Sequence, residues 1–241
     1  MAILSLPSRR WEEIVADMDV KTPPASESGQ KPLPSDAIII LPVRNLVLFP
    51  GVVLPVMIGR PGSTAGAQRA MREQRQVGIL MQRDAEQPEP SAIDMHRFGT
   101  VANIVRYITV PDGSARLICQ GDQRFQILEF LDGWPFMVAR VLLIPEPQSK
   151  SSEIEARFLL LRQQAIEALQ LLPHAPGEIV TALQAVTSPS VLADLVAAHI
   201  DVKPEERQEL LETIDVAARM EKVSRLLTHW VEVLRLSQEI G

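Results

Sequence analysis

The residues of this chain equipped for chemistry are four histidines, one cysteine, five lysines, a glycine-rich turn and some paired glutamates. His96, His174, His199 and His229 each stand without a second His or Cys at metal-ligand spacing, so no metal site is expected. Cys119 sits between Ile118 and Gln120 in a strand-like run, where a buried, inert thiol is expected rather than a nucleophile. The turn Gly59-Arg60-Pro61-Gly62-Ser63-Thr64-Ala65-Gly66 could hold an anion at a helix start, but Pro61 removes a donor and no lysine follows. A plain strand-to-helix turn is expected there. No Gly-x-Ser-x-Gly is present. Lys21, Lys31 and Lys150 lie in polar linkers and Lys203 and Lys222 near helix starts or faces, so none suits a Ser-Lys nucleophile. Glu12/Glu13 and Glu205/Glu206 stand in helix-N-terminal positions, where they complement the macrodipole. The residues therefore describe a binding module with no catalytic residue, metal or cofactor.

Composition narrows the class. The 241 residues suit one large domain or two small ones. With 24 Lys+Arg against 30 Asp+Glu the balance is −6, which argues against broad binding to nucleic-acid backbones. A single cysteine closes no intramolecular disulfide and favours a reducing compartment. Pro7 and the charges at Arg9, Arg10, Glu12 and Glu13 interrupt any signal peptide, and no run is long and apolar enough to span a membrane. A cytoplasmic protein is expected. The 19 prolines forbid a plain helical bundle unless they stand outside the helices.

The elements that would position a binding site follow from periodicity. Residues 1–35 read as a leader with a proline-rich linker, and Trp11, Ile14, Val15 and Met18 form one helical stripe within it. Its readings are a short helix docked on the body or frayed, or a partner-binding peptide. Residues 36–147 read as short strands at Ala37–Leu41, Val47–Phe49, Val52–Ile58, Val77–Gln82, Phe98–Val110, Ala115–Gln120, Arg124–Phe130 and Phe136–Ile144, with one helix at Ser63–Glu73. Pro55 places its strand at an edge, and Pro111-Asp112-Gly113 makes a turn. Strands closing through such turns predict a small barrel or sandwich.

From 148 to 241 the period changes to that of helices. Ser152 and Glu155 predict a capping box, and Ile154, Phe158, Leu161, Ala165, Leu169 and Leu172 an inward stripe. Pro173 ends this helix, a short one covers Gly177–Val186, Ser188-Pro189 opens a third, Pro204 a fourth, and Asp215 caps a long last one. In that helix Val216, Met220, Val223, Leu227, Trp230 and Leu234 make a heptad seam, for its own bundle or for a partner chain; Leu227, Trp230 and Leu234 are the candidate assembly residues. The fold class is α+β.

The run Leu41-Pro42-Val43-Arg44-Asn45-Leu46-Val47-Leu48-Phe49-Pro50-Gly51-Val52-Val53-Leu54-Pro55-Val56, followed by Gly59-Arg60, resembles the opening signature of the amino-terminal domain of the ATP-dependent Lon protease family. Phe98-Gly99-Thr100-Val101-Ala102, Leu117-Ile118-Cys119-Gln120-Gly121 with Arg124, and Ser188 to Ile200 with its Leu192-Ala193-Asp194 are similar to that family in the same order. So is Gln208-Glu209-Leu210-Leu211-Glu212 with Asp215-Val216. The resemblance implies a PUA-like β-barrel followed by an α-helical bundle with a long C-terminal helix. It implies a non-catalytic module that captures unfolded, damaged or degron-bearing polypeptides for protein quality control and helps hexamers assemble. An apolar strip between barrel and bundle would bind them, with Phe49, Met57 and Arg60 as candidate contacts. The ATPase and Ser-Lys peptidase modules of an ATP-dependent serine endopeptidase would lie further along, so this chain is expected to be a piece of such a protease. The alternative is a stand-alone Lon-domain protein binding peptides or RNA.

Overall fold

Ile39, Leu41 and Val43 point to one face of the first strand and Ile38, Ile40 and Pro42 to the other, and both faces are covered. Such two-sided burial is expected of a strand with a parallel neighbour. In the computed structural model, which describes residues 31–147, 150–172 and 177–240, this strand β1 (Ala37–Val43) pairs in parallel with β3 (Val77–Met81). The connection between parallel strands needs a crossover. It contains β2 (Val53–Ile58) and helix α1 (Pro61–Arg72). These elements belong to the unit Pro32–Gly241; the leader and its stripe of Trp11, Ile14, Val15 and Met18 lie outside the described residues.

The remaining strands are β4 (Phe98–Thr109), β5 (Ala115–Leu131) and β6 (Val138–Ile144). The order β2-β5-β4-β3-β1-β6, with a further β5–β6 pairing, closes five strands into a ring and, among the described residues, leaves β2 paired with β5 alone. The two strands expected at Ala115–Gln120 and Arg124–Phe130 are one continuous strand. Its first half pairs with β2 and its second with β6, while β4 runs along the other side. Val47–Phe49 is not a strand but a buried loop. Its backbone polar groups find other partners, as burial requires. The Thr100 hydroxyl donates to Leu48 O at 2.5 Å, Gly51 N–H to Gly121 O and Gly121 N–H to Val52 O, both at 2.9 Å. Asn45 enters this loop at φ +51°, a left-handed conformation that asparagine tolerates.

The helices are α2 (Ser152–Gln170), α3 (Gly177–Ala185), α4 (Pro189–His199), α5 (Pro204–Glu212) and α6 (Val216–Ile240). Their starts follow local chemistry. Ser188 Oγ accepts from Val191 N–H at 3.4 Å with Pro189 behind it, and Asp215 Oδ1 accepts from Ala218 N–H at 2.8 Å. At α2 the cap is Ser151, whose Oγ accepts from Ile154 N–H at 3.2 Å, and not Ser152. Pro173 and Pro176 lie outside the described residues.

The apolar core is shared. One cluster runs from Ile39, Phe49 and Val138 through Phe158 and Leu161 to Leu192, Val223 and Leu227, so sheet and helices bury one another. The opposite face of the ring strands holds a smaller core of Ile40, Leu80, Val101, Phe125 and Ile127. Close approaches fix both. A Cβ at Gly121 would run into the Phe49 carbonyl, whereas one at Gly59 would meet only Ser114 at 3.7 Å. Gly121→Ala is therefore expected to lower the unfolding free energy by about 1–3 kcal/mol. Gly59→Ala should stay within about 0.5 kcal/mol. Urea denaturation checks both, and equal midpoints for the two variants would contradict the close approach at Gly121.

Candidate functional site

Arg124 lies mid-β5, Asp194 in the apolar stretch of α4 and Arg219 in that of α6, and all three are almost completely buried. An isolated buried charge is prohibitive, so each must have partners. Arg124 Nη1 and Nη2 donate to the two Asp194 oxygens at 2.8 and 2.7 Å, and its Nε donates to Leu211 O at 3.0 Å. Its Nη1 also donates to Glu146 at 2.6 Å, and Arg219 Nη2 reaches the other Glu146 oxygen at 3.1 Å and Ser190 Oγ at 2.8 Å. The Ser190 hydroxyl closes the circuit by donating to Glu146. Burial disfavours the Glu146 carboxylate, but Ser190 and the two guanidiniums outweigh it and hold its carboxyl below the usual range. Two cations and two anions from β5, α4, α6 and the segment after β6 thus join sheet to helices. A cleft of about 890 Å³ opens beside them, lined by Glu146, Lys150, Ile154, Phe158 and Ser188 among others. The junction is therefore charged and largely packed, not the exposed apolar strip that the sequence led us to expect, because its apolar side chains went into the shared core.

Among the described residues the exposed large apolar side chains are spread over the surface, with Leu128, Leu142 and Leu143 on β5 and β6 and a second group on the other half of the sheet. Strand pairing aligns Met57, Arg116 and Ile108 in one row across β2, β5 and β4. The next rows are Pro55, Ile118 and Arg106, then Val53, Gln120 and Asn103. These side chains share the outer face, while Val56, Leu117 and Cys119 turn inward and are buried. Val53 is 52% exposed, Met57 53%, Ile108 37%, and Val105, the extra residue at the register shift before Arg106, 62%. Single exposed apolar residues need no explanation, but a contiguous group marks an interaction surface.

The candidate contacts fall in different places. Met57 is on this face. Phe49 is completely buried, so its ring is core and reaches no ligand in this fold. Arg60 spends its donors on Gln82 Oε1 and Pro88 O, both at 2.6 Å, and so pins the loop after β3. Leu227 is buried within the bundle, where α6 packs on α2 and α4, and is not free for a partner chain. Trp230 and Leu234 are half-buried beside the exposed Val233 and Leu236. No local motif joins the members of the ion cluster; Asp194 is a lone charge in the apolar run of α4, Arg124 and Asp194 stand in the family-like segments, and nothing in the sequence singles out Arg219. Among the described residues no group of three or more His, Cys, Asp or Glu could hold a metal, and no helix is long and apolar enough to cross a membrane. His174 lies outside them; His199 bonds Leu195 O, and His96 stands 3.6 Å from Glu212.

The cluster and the buried thiol each carry an expectation. Asp194→Ala strands two buried guanidiniums and should cost about 3–5 kcal/mol of stability. Arg157→Ala, which breaks exposed pairs with Glu153 and Glu221, should cost under about 1 kcal/mol. Equal losses in urea denaturation would contradict the role of the cluster. Burial pushes the Cys119 thiol up to about 12. A thiol reagent at mildly alkaline pH should therefore label this residue only after unfolding, and rapid native labelling would contradict its burial.

Comparison with known proteins gives one consistent result. Residues 37–229 match the family described as the ATP-dependent protease La (LON) substrate-binding domain. The Lon protease of Methylocella silvestris is 52% identical over 238 residues, which is 98% of this chain and 29% of that protein. That of Phenylobacterium zucineum is 51% identical over 217 residues, 90% of this chain and 27% of the relative. The chain thus spans less than a third of the length of these relatives. Among solved structures, the N-terminal domain of the Mycobacterium avium complex Lon protease aligns with a TM-score of 0.66 at 25% identity, covering 81% of this chain and 98% of that one. A Lon N-terminal domain protein from Xanthomonas campestris aligns at 0.57 and 16% identity, covering 78% and 96%, a likeness of fold alone.

Proposed function

This chain belongs to the Lon substrate-binding domain family, and from that premise we propose that it recognises unfolded or degron-bearing polypeptides for an ATP-dependent Lon-type protease in cytoplasmic protein quality control. The observation that supports this reading is the contiguous exposure of Val53, Met57, Val105 and Ile108 on one face of a rigid sheet. A folded protein hides the side chains that would complement such a face, and an unfolded segment offers them. Fully burying one of these residues is worth about 1.5–3 kcal/mol, and losses of chain freedom on binding offset much of it. One copy would bind weakly. Several copies in a parent hexamer would hold a long unfolded chain by avidity. In that assembly the half-buried Trp230 and Leu234 and the exposed Leu236 would be candidates on α6 to meet another chain.

The test is fluorescence polarisation with a labelled, reduced and carboxymethylated protein that cannot refold, beside its native form. The isolated chain should bind the unfolded form with a dissociation constant on the order of 10⁻⁴ M and the native form at least tenfold more weakly, roughly. No binding of the unfolded form at millimolar chain would overturn the reading.

A further inference from the structure

Two arginines stand among the apolar residues of the outer face. Arg116 lies between Met57 and Ile108 in its row, and Arg106 ends the next row beside Ile118. Both are exposed, and among the described residues neither forms an ion pair; the nearest polar partner of Arg116 is the sulfur of Met57, 3.5 Å from Nε. Elsewhere on the surface Arg140 holds Asp36 and Glu129, and Arg157 holds Glu153 and Glu221. None of the nine paired positions on the face is acidic; the exposed Asp122, the residue skipped at the other register shift of β5, follows Gln120 and accepts from Gln76 Nε2 at 2.9 Å. The part of the face around Arg106 and Arg116 is therefore apolar and positive on a molecule that carries −6.

The spacing of the two arginines is specific. They are diagonal neighbours on adjacent antiparallel strands, a relation that sets side chains about 7–8 Å apart. In an extended peptide, side chains at i and i+2 share a face at about 6.8 Å. We propose that this face receives extended polypeptide segments carrying carboxylates at i and i+2, with apolar side chains on the same side of the strand. The apolar partners lie against Val53, Met57, Val105 and Ile108, and the carboxylates meet Arg106 and Arg116. Pro55 has no N–H to offer at the open edge of β2, so recognition runs through side chains on the face and not through an added strand. The face lacks any aromatic platform, and Tyr107 turns to the other side, where its hydroxyl meets Gln68 at 3.5 Å. A single-stranded nucleic acid would need such platforms for stacking.

This inference rests on the substrate-binding reading and refines it to a substrate class. The test uses labelled peptides of equal length with leucines on one face: two of equal composition with glutamates either at i and i+2 or at i and i+1, and a third with lysines at i and i+2. The chain should bind the i, i+2 glutamate peptide about tenfold more tightly than the lysine peptide, and the preference should shrink in high salt. Arg106→Glu with Arg116→Glu should invert that order, and Met57→Asp should weaken all three peptides; circular dichroism confirms that these surface variants fold. Binding of the i, i+1 glutamate peptide or of the lysine peptide as tightly as the i, i+2 glutamate peptide, an unchanged order in the charge-reversed variant, or displacement of the peptide by a single-stranded oligonucleotide overturns the inference. If the unfolded protein binds wild type and variants alike, the substrate reading stands and this face is not its site. If the unfolded protein does not bind at all, the substrate reading itself has failed.

Discussion

Taking Arg124, Asp194 and Arg219 out of water costs several kcal/mol per ion, and that cost is recovered only in an arrangement where β5, α4, α6 and Glu146 meet at hydrogen-bonding distance. A shift of the helices over the sheet would leave a buried charge unpaired. The surrounding apolar contacts between Phe158, Leu161, Leu192 and Val223 supply cohesion but tolerate sliding. The ion cluster therefore sets one geometry among the many that burial alone would accept. The buried loop of Leu48 and Phe49 depends on the same strand, because Gly121, three residues before Arg124, is clamped to it.

This division of labour separates holding from binding. The junction contains buried charges paired with one another, with Arg219 Nε and Nη1 left without a hydrogen-bond partner among the described residues. The outer face of β2, β5 and β4 is the reverse. Its backbone is fixed by the pairings of β5 with two neighbours and by the buried side chains beneath, while its exposed Arg106 and Arg116 form no ion pair among the described residues and Arg116 meets only the Met57 sulfur. A rigid platform loses little freedom on binding, so on the proposed reading most of the ordering cost would fall on the bound segment.

The fold is legible in the sequence where its causes are local. Ser188-Pro189 and Asp215 announce helix starts because a cap acts on donors two or three residues away. Ser151 and Ser152 are both serines ahead of an apolar stripe, and which one caps depends on where the chain arrives from β6, which no local pattern records. Gly121 reads as a strand break, yet it is there to admit the loop at Phe49, and β5 continues through it. Phe49 reads as a surface contact because its neighbours Pro50 and Gly51 mark a turn, and turns are commonly exposed; here the loop tucks its ring into the core. Arg124 and Asp194 are 70 residues apart, so their pairing is a property of the fold. Met57 is a candidate for its place near the first turn, but its two arginine companions come from β4 and β5 and join it only through strand register.

Recognition on the outer face of the sheet, with the charged junction only holding the structure, is the central claim. Backbone amide NMR spectra of the chain, titrated with an unfolded polypeptide rich in acidic and apolar residues, test it most directly. Perturbations are expected to concentrate at residues 53–57, 103–108 and 116–120, with the amides of Asp194, Ser190 and Arg219 unmoved. Perturbations centred instead on the cleft beside Glu146, or along α6, would contradict it.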